Sequence, residues 1–353
     1  MRTLGLALIM TLLSACAHER QIESVSASED VLPVDPAVTL ANELAGDGTP
    51  YRQGVSGTGD ERIHYVEAGQ GPTVLFVHGF PSFWYVWRDQ MEALRHCRRV
   101  IAIDAPGAGF SAKPEADEAY RIDRLAARLH ALIDELAPGE TITLVGHDWG
   151  GALAWSYADW NSSRLDRLAI FSAPSYNLLL DLLADDPEQR AASSYMPRLL
   201  RMDRDTASSD AFKASFYDLA YRRMVEDGIL SESEGMVFQQ ALARDGALHA
   251  GIQWYKANMP GFDNFDTAAL YWPHRTLSTD IPILLVRGSE DRTFVKGMQD
   301  SAKRDAPQLD VVTLQGVGHW TPFQEPDAAN RALMDFVLGD GRSCQALRGL
   351  GTP

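Results

Sequence analysis

The sequence predicts an α/β protein: a mostly parallel β-sheet flanked by helices, with a long helical segment inserted into it. The first observation is a series of short apolar runs rich in β-branched residues, at 73–77, 100–103, 141–145, 168–171, 281–286 and 311–314. Runs of this length and composition read as strands buried on both faces, the usual condition of a parallel sheet. The second observation is what lies between them. Residues 124–133 set Leu125, Leu129 and Leu132 at the three-to-four spacing of an amphipathic helix, and strands alternating with such helices define the class. The third is an interruption. From 175 to 279 the strand pattern stops and the chain becomes helical and aromatic, which reads as a cap whose rings serve mainly as core and in part as pocket lining.

Taken from the N-terminus, Arg2 precedes the apolar run 4–13 and then Ser14-Ala15-Cys16. A positive start, a short apolar stretch and small residues form an export signal, and the run is too short to span a bilayer. Leu13-Ser14-Ala15-Cys16 resembles the lipobox of bacterial lipoproteins. That resemblance implies removal of residues 1–15 and acylation of Cys16 as the first mature residue. Ala17 rather than Asp after the cysteine implies an outer-membrane location facing the periplasm. Residues 16–58, rich in Ser, Glu, Asp, Pro and Gly without a sustained period, read as a lipid-anchored tether. The folded core is then expected in two parts, 59–174 and 280–342, around the cap at 175–279, with a tail at 343–353. Cys97 and Cys344 remain in the mature chain; an oxidising compartment permits a bridge between them, and burial as free thiols is the alternative.

A chain of 353 residues with 45% hydrophobic content can bury a large core. Its net charge of −16, without a basic block, argues against nucleic acid as a partner. Oligomeric state is not encoded in any of these features.

The chemistry concentrates after the strand ends. Gly146-His147-Asp148-Trp149-Gly150-Gly151 joins the run at 141–145 to good helix formers at 152–158. Small residues on both sides let a strand turn abruptly into a helix and present the middle side chain above the sheet, the geometry of a nucleophile elbow. That side chain is the carboxylate of Asp148. Glycines between strand and helix serve packing alone as often as not, so the assignment depends on its surroundings. His78-Gly79-Phe80-Pro81 follows the strand at 73–77, where the backbone NH of Phe80 can join that of Trp149 in an oxyanion hole, with His78 structural. Asp291, chosen over Glu290, ends the strand at 281–286 and can orient a histidine. His319, in Gly316-Val317-Gly318-His319-Trp320, follows the strand at 311–314 and supplies the base. Nucleophile, acid and histidine in that chain order make a triad. No closely spaced His, Cys and Glu set appears, so neither a metal nor another cofactor is expected.

These segments, with Ser82-Phe83-Trp84-Tyr85-Val86-Trp87-Arg88 and Asp104-Ala105-Pro106-Gly107-Ala108-Gly109-Phe110-Ser111, resemble the α/β-hydrolase-fold epoxide hydrolases over about residues 60–340. The resemblance implies an eight-stranded sheet, an aspartate nucleophile and two cap tyrosines that protonate the leaving oxygen. Tyr195, in Ser194-Tyr195-Met196-Pro197-Arg198-Leu199, and Tyr255, in Gln253-Trp254-Tyr255-Lys256, stand in the matching segments. Leu199 departs from a common aromatic there and Lys256 from a common arginine, and the first match is the poorer one. The reaction implied is opening of a small apolar epoxide to a vicinal diol through an alkyl ester on Asp148, hydrolysed by water that His319 activates. A haloalkane dehalogenase resembles the chain in its Asp-Trp elbow, and would use Trp149 with a cap tryptophan such as Trp254 to hold halide. The segment after Asp148 carries no arginine of the kind that clamps a carboxylate in fluoroacetate dehalogenases. An inactive binding lipoprotein on the same scaffold is the reading from another class.

The export reading has a direct test. The intact mass of the mature chain should correspond to residues 16–353 with acyl groups on Cys16; a mature Cys16 without acyl groups would instead indicate an ordinary cleaved signal.

Overall fold

The computed structural model describes residues 32–46, 48–262, 280–339 and 344. Eight strands form one sheet: β1 (Arg52–Ser56), β2 (Ile63–Ala68), β3 (Thr73–Val77), β4 (Arg99–Ile103), β5 (Ile142–His147), β6 (Leu165–Phe171), β7 (Ile283–Gly288) and β8 (Leu309–Leu314). Their spatial order is β1-β2-β4-β3-β5-β6-β7-β8. β1 and β2 are antiparallel, and every pairing from β4 to β8 is parallel. Every residue of β3, β5 and β7 is buried. Helices cover these central strands on both faces, which is why their runs are continuously apolar rather than alternating. β6 begins three residues earlier than expected, at Leu165, while β5 and β7 start later and run two residues further, Gly146-His147 and Arg287-Gly288 continuing their ladders beyond the apolar cores.

Strand order has a consequence for chemistry. The chain leaves β3 to build β4 on one side, then returns to lay β5 on the other. β3 and β5 are therefore neighbours, with Val77 opposite Gly146, and the loops leaving their carboxyl ends diverge at a topological switch point where such sheets form their crevices.

The tether expected through residue 58 ends much earlier. Pro36–Ala45 is a helix, started by the Asp35 side chain accepting from the Ala37 NH and by proline at its first position. Asp35 also accepts from the Trp84 indole at 2.7 Å, which fastens this helix to the core, and Arg52–Ser56 is the outermost strand. The sequence concealed both: the helix is brief, and β1 has the mixed burial of a short edge strand rather than a clear alternation. Residues 1–15 and Cys16 lie outside the described residues, as does the end of the expected cap, 263–279. Among the described residues no helix is long and apolar enough to cross a membrane.

The cap begins with Tyr176–Asp185, capped by the Ser175 hydroxyl, and continues through short helices to Glu232–Ala243 and Ala247–Asn258. Ser231 and Glu234 form a reciprocal capping box at the start of the first of these two. Between Asp210–Tyr217 and Arg223–Glu226 the helix widens into a π turn at Asp218–Arg222.

The open question about cysteines is resolved in favour of a bridge. Cys97 and Cys344 are disulfide-bonded with Cα atoms 5.3 Å apart, closing a loop of 247 residues in sequence. Non-reducing peptide mapping should recover a Cys97–Cys344 cross-linked peptide, and the double serine variant should lose about 2–4 kcal/mol of stability. Two separate free-thiol peptides would contradict this arrangement.

Candidate active site

Asp148 sits between β5 and the helix Trp149–Asn161 with φ 52 and ψ −125, a conformation that side chains other than glycine rarely adopt. Such strain persists only where the surroundings enforce it. A β-carbon at Gly150 would collide with the carbonyl oxygens of Val77 and His78, and one at Gly79 would strike the Asp148 carboxylate. The elbow therefore needs glycine at both places. In exchange, the carboxylate stands at the helix N-terminus, whose unpaired NH groups favour negative charge.

The predicted residues converge. Asp148 Oδ1 accepts from the Phe80 NH at 2.9 Å. Its Oδ2 lies 3.4 Å from His319 Nε2. On the far side of the ring, His319 Nδ1 is 3.1 Å from Asp291 Oδ2. Asp291 is itself held by the Thr293 NH at 2.8 Å and the Phe294 NH at 3.4 Å, while Glu290 is exposed. Trp149 is the first residue of its helix, so its NH has no partner within that helix and is free to serve beside Phe80. His78 is structural, with Nδ1 donating to Gly79 O at 2.7 Å and Nε2 accepting from the Ala105 NH at 2.9 Å.

Charge explains the resting protonation. Burial pushes Asp148 up, but the hydrogen bond and charge of His319, with smaller help from the Phe80 NH, bring it below the usual carboxylate range. Burial likewise opposes ionisation of Asp291, and His319 again reverses it. For His319 burial favours the neutral ring, yet the charges and hydrogen bonds of Asp291 and Asp148 raise it to about 10. The resting triad is thus an imidazolium between two carboxylates.

Above Asp148 the cap encloses a cavity of about 510 Å³, whose wall includes Tyr195, Tyr255, Phe80, Phe216, His319 and Trp320. Tyr195 and Tyr255 stand side by side, and the Trp149 ring packs edge to face against Tyr255, 5.0 Å away. The two tyrosine rings meet edge to face, 6.2 Å apart. Tyr195 leaves 39% of its surface open, but its hydroxyl end is packed in beside Tyr255 and Asp148. Burial, and for both the nearby Asp148 charge, push the two phenols well above their ordinary value, so they remain protonated donors at any neutral pH. Trp254, one of the two indoles that the halide-binding alternative needs, is already committed: its Nε1 donates to Pro106 O at 2.9 Å. Among the described residues no group of three or more His, Cys, Asp or Glu is arranged to hold a metal.

Three supporting residues have no signature in the sequence. His147 Nε2 donates to His319 O at 3.0 Å, tying the elbow to the histidine loop; burial and then the His319 charge push it down to about 4, so it stays neutral. Gln189, fully buried in the cap, donates to Ser193 Oγ at 3.0 Å and Thr293 O at 2.8 Å and accepts from the Val295 NH at 3.1 Å. It thereby connects the segment before Tyr195 to the loop carrying Asp291. Tyr221, in the π turn, donates to Pro81 O beside the oxyanion turn. Only adjacency of His147 to Asp148 could have pointed to the first; the other two depend on contacts between segments more than a hundred residues apart.

A family model described as alpha/beta hydrolase fold matches residues 72–220. Epoxide hydrolase 3 of Mus musculus is 30% identical over 289 residues, covering 78% of this chain and 74% of that one. AB hydrolase superfamily protein YfhM of Bacillus subtilis is 28% identical over 278 residues, with 78% and 94% covered. The chain belongs to the alpha/beta hydrolase family. Among solved structures, an epoxide hydrolase from Bacillus megaterium in complex with an inhibitor is similar with a TM-score of 0.71 at 25% identity, covering 81% of this chain and 98% of that one.

The charge arrangement predicts a titration. His319 should remain protonated in the resting protein until the pH approaches 10, and Asp148→Asn, by removing one of its two anionic partners, should lower that value by more than about one unit. Imidazole NMR shifts followed against pH read this out; equal values in both proteins would show that Asp148 does not hold the charge.

Proposed function

We propose that this protein is an epoxide hydrolase that converts a small, largely apolar epoxide to a vicinal diol through a covalent ester on Asp148. The observation that carries this is a carboxylate at the elbow, bracketed by His319 and the Phe80 NH, beneath two protonated tyrosines. Hydrolase activity has support from the relatives, and the geometry supports the steps that follow.

Asp148 Oδ2 attacks a ring carbon and the C–O bond of the oxirane breaks. Tyr195 or Tyr255 delivers a proton to the departing oxygen as it becomes an alkoxide, while the other phenol hydrogen-bonds to it. Opening a saturated carbon needs an in-line nucleophile and an acid, which is why this site has a carboxylate and phenols rather than a serine. Oδ1, already against the Phe80 NH, becomes the ester carbonyl oxygen.

Ester formation also prepares the second step. It removes the Asp148 charge that helped hold the proton on His319, so that proton passes to the tyrosinate left by the first step and the neutral ring can act as a base, oriented by Asp291. His319 then takes a proton from water, the oxygen attacks the carbonyl carbon of Asp148, and the resulting oxyanion is stabilised by the Phe80 and Trp149 NH groups. Collapse breaks the bond between the Asp148 carboxyl carbon and the original Oδ2, and that departing oxygen takes the proton from His319 to complete the diol. Asp148 keeps an oxygen from water, and its acid proton passes to His319, which restores the carboxylate and the imidazolium.

The same proposal places the enzyme outside the cytoplasm, anchored through acylated Cys16 to an outer membrane and facing the periplasm, on the strength of the lipobox-like segment. A wall dominated by aromatic and aliphatic side chains suits an apolar substrate.

A single turnover in heavy-oxygen water should leave label in the Asp148 peptide, whereas direct attack of water on the epoxide would leave it in the diol alone. Asp148→Ala should abolish diol formation, and Tyr255→Phe should reduce its rate by about 10²-fold or more, measured with a small aromatic epoxide alongside a halide-release assay. Halide release without diol formation would overturn the reading.

A further inference from the structure

We infer that the preferred substrate carries a carboxylate or similar anion at the end of an apolar chain, held by Arg198. This rests on the epoxide reading and names the substrate class of that site. Arg198 is the one lysine or arginine lining the cavity among the described residues. Arg88, Arg99 and Arg164 are matched with carboxylates; what distinguishes Arg198 from the other unmatched arginines is its place on the cavity wall. Arg198 has no side-chain ion pair or hydrogen bond among the described residues, and the residue is exposed.

Position gives that free cation its meaning. Arg198 lies three residues after Tyr195, and its NH donates to Tyr195 O at 3.1 Å. Residues so spaced around one helical turn share a face. The same wall therefore presents a proton donor for the oxirane and, beside it, a fork suited to a planar carboxylate. Between and around them the lining is apolar, with Leu199, Phe212, Phe216 and Leu219. An amphiphile with the epoxide within its chain matches this order.

Charge balance supports the assignment. Two ionised aspartates and an imidazolium leave the triad with a net negative charge, in a chain whose formal charge is −16. An anionic substrate is repelled there unless a cation meets its charged end. The elbow segment has no arginine to do so; the cap supplies one.

The test compares epoxyundecanoate with its methyl ester, a pair that differs in charge and little else. In the wild-type protein the acid should have the higher kcat/KM. Arg198→Gln should lower the acid-to-ester ratio by roughly tenfold or more, mainly through KM, and Arg198→Lys should restore part of it. Because both substrates are measured on each variant, a general loss of folding or activity cancels in the ratio. An acid-to-ester ratio that is unchanged in Arg198→Gln overturns the inference and leaves the epoxide reading standing. Calorimetry with unreactive undecanoate and methyl undecanoate separates the two claims. If the wild-type protein opens neither epoxide but binds undecanoate in an Arg198-dependent way, the epoxide reading fails and the anion site holds; if undecanoate binds equally to wild type and Arg198→Gln, the anion site fails.

Discussion

The parallel pairing of β3 with β5 is the constraint on which the site depends. It sets Val77 beside Gly146, so the turn after one strand and the elbow after the other emerge at the same place. The Phe80 NH then reaches Asp148 Oδ1 at 2.9 Å. The approach is closer than any side chain allows, and glycine at positions 79 and 150 is its condition. A strained φ of 52 at Asp148 is tolerable because strand, helix and turn hold the residue from three sides.

Electrostatics follow from that placement. Asp148 and Asp291 are too enclosed to share a site with a neutral partner at low energy, and His319 between them relieves both by carrying a proton. In the proposed reaction that imidazolium would both stabilise the resting carboxylate and have to lose its proton before water is activated. Alkylation of Asp148 would couple the two states, because the bond that consumes the carboxylate also cancels the charge that held the proton. His147, neutral and donating to His319 O, fixes the ring's backbone without adding a competing charge.

Cap and core are joined by contacts that also order the site. Gln189 reaches from the cap to the loop of Asp291, and Tyr221 from the cap to Pro81. Ser172, the other non-glycine residue with positive φ among the described residues, bonds Thr321 just beyond His319 at 3.1 Å. Each of the loops that brings a reacting group is thus held by a buried polar side chain from elsewhere in the fold, which keeps the groups at reactive spacing.

The apolar runs of the central strands, the glycine-flanked elbow and the order Asp148, Asp291, His319 were legible in the sequence because each is a local pattern with a local physical cause. Tyr255 is singled out by the resemblance of its Gln253-Trp254-Tyr255 segment to the cap of the epoxide hydrolases, and it stands on the wall of the cavity above Asp148. The start of the fold was not legible: the helix Pro36–Ala45 and edge strand β1 are too short to show a period, and what secures the helix is a bond from Asp35 to Trp84, distant in the chain. The pairing of Cys97 with Cys344, the roles of Gln189 and Tyr221, the commitment of Trp254 to Pro106 and the freedom of Arg198 are likewise decided by tertiary structure. Sequence alone determined which groups could do the chemistry, since residue type and strand-end position suffice for that. Which donors are already occupied, and which charges remain unmatched, is a property of neighbours in space, and folding alone assigns those.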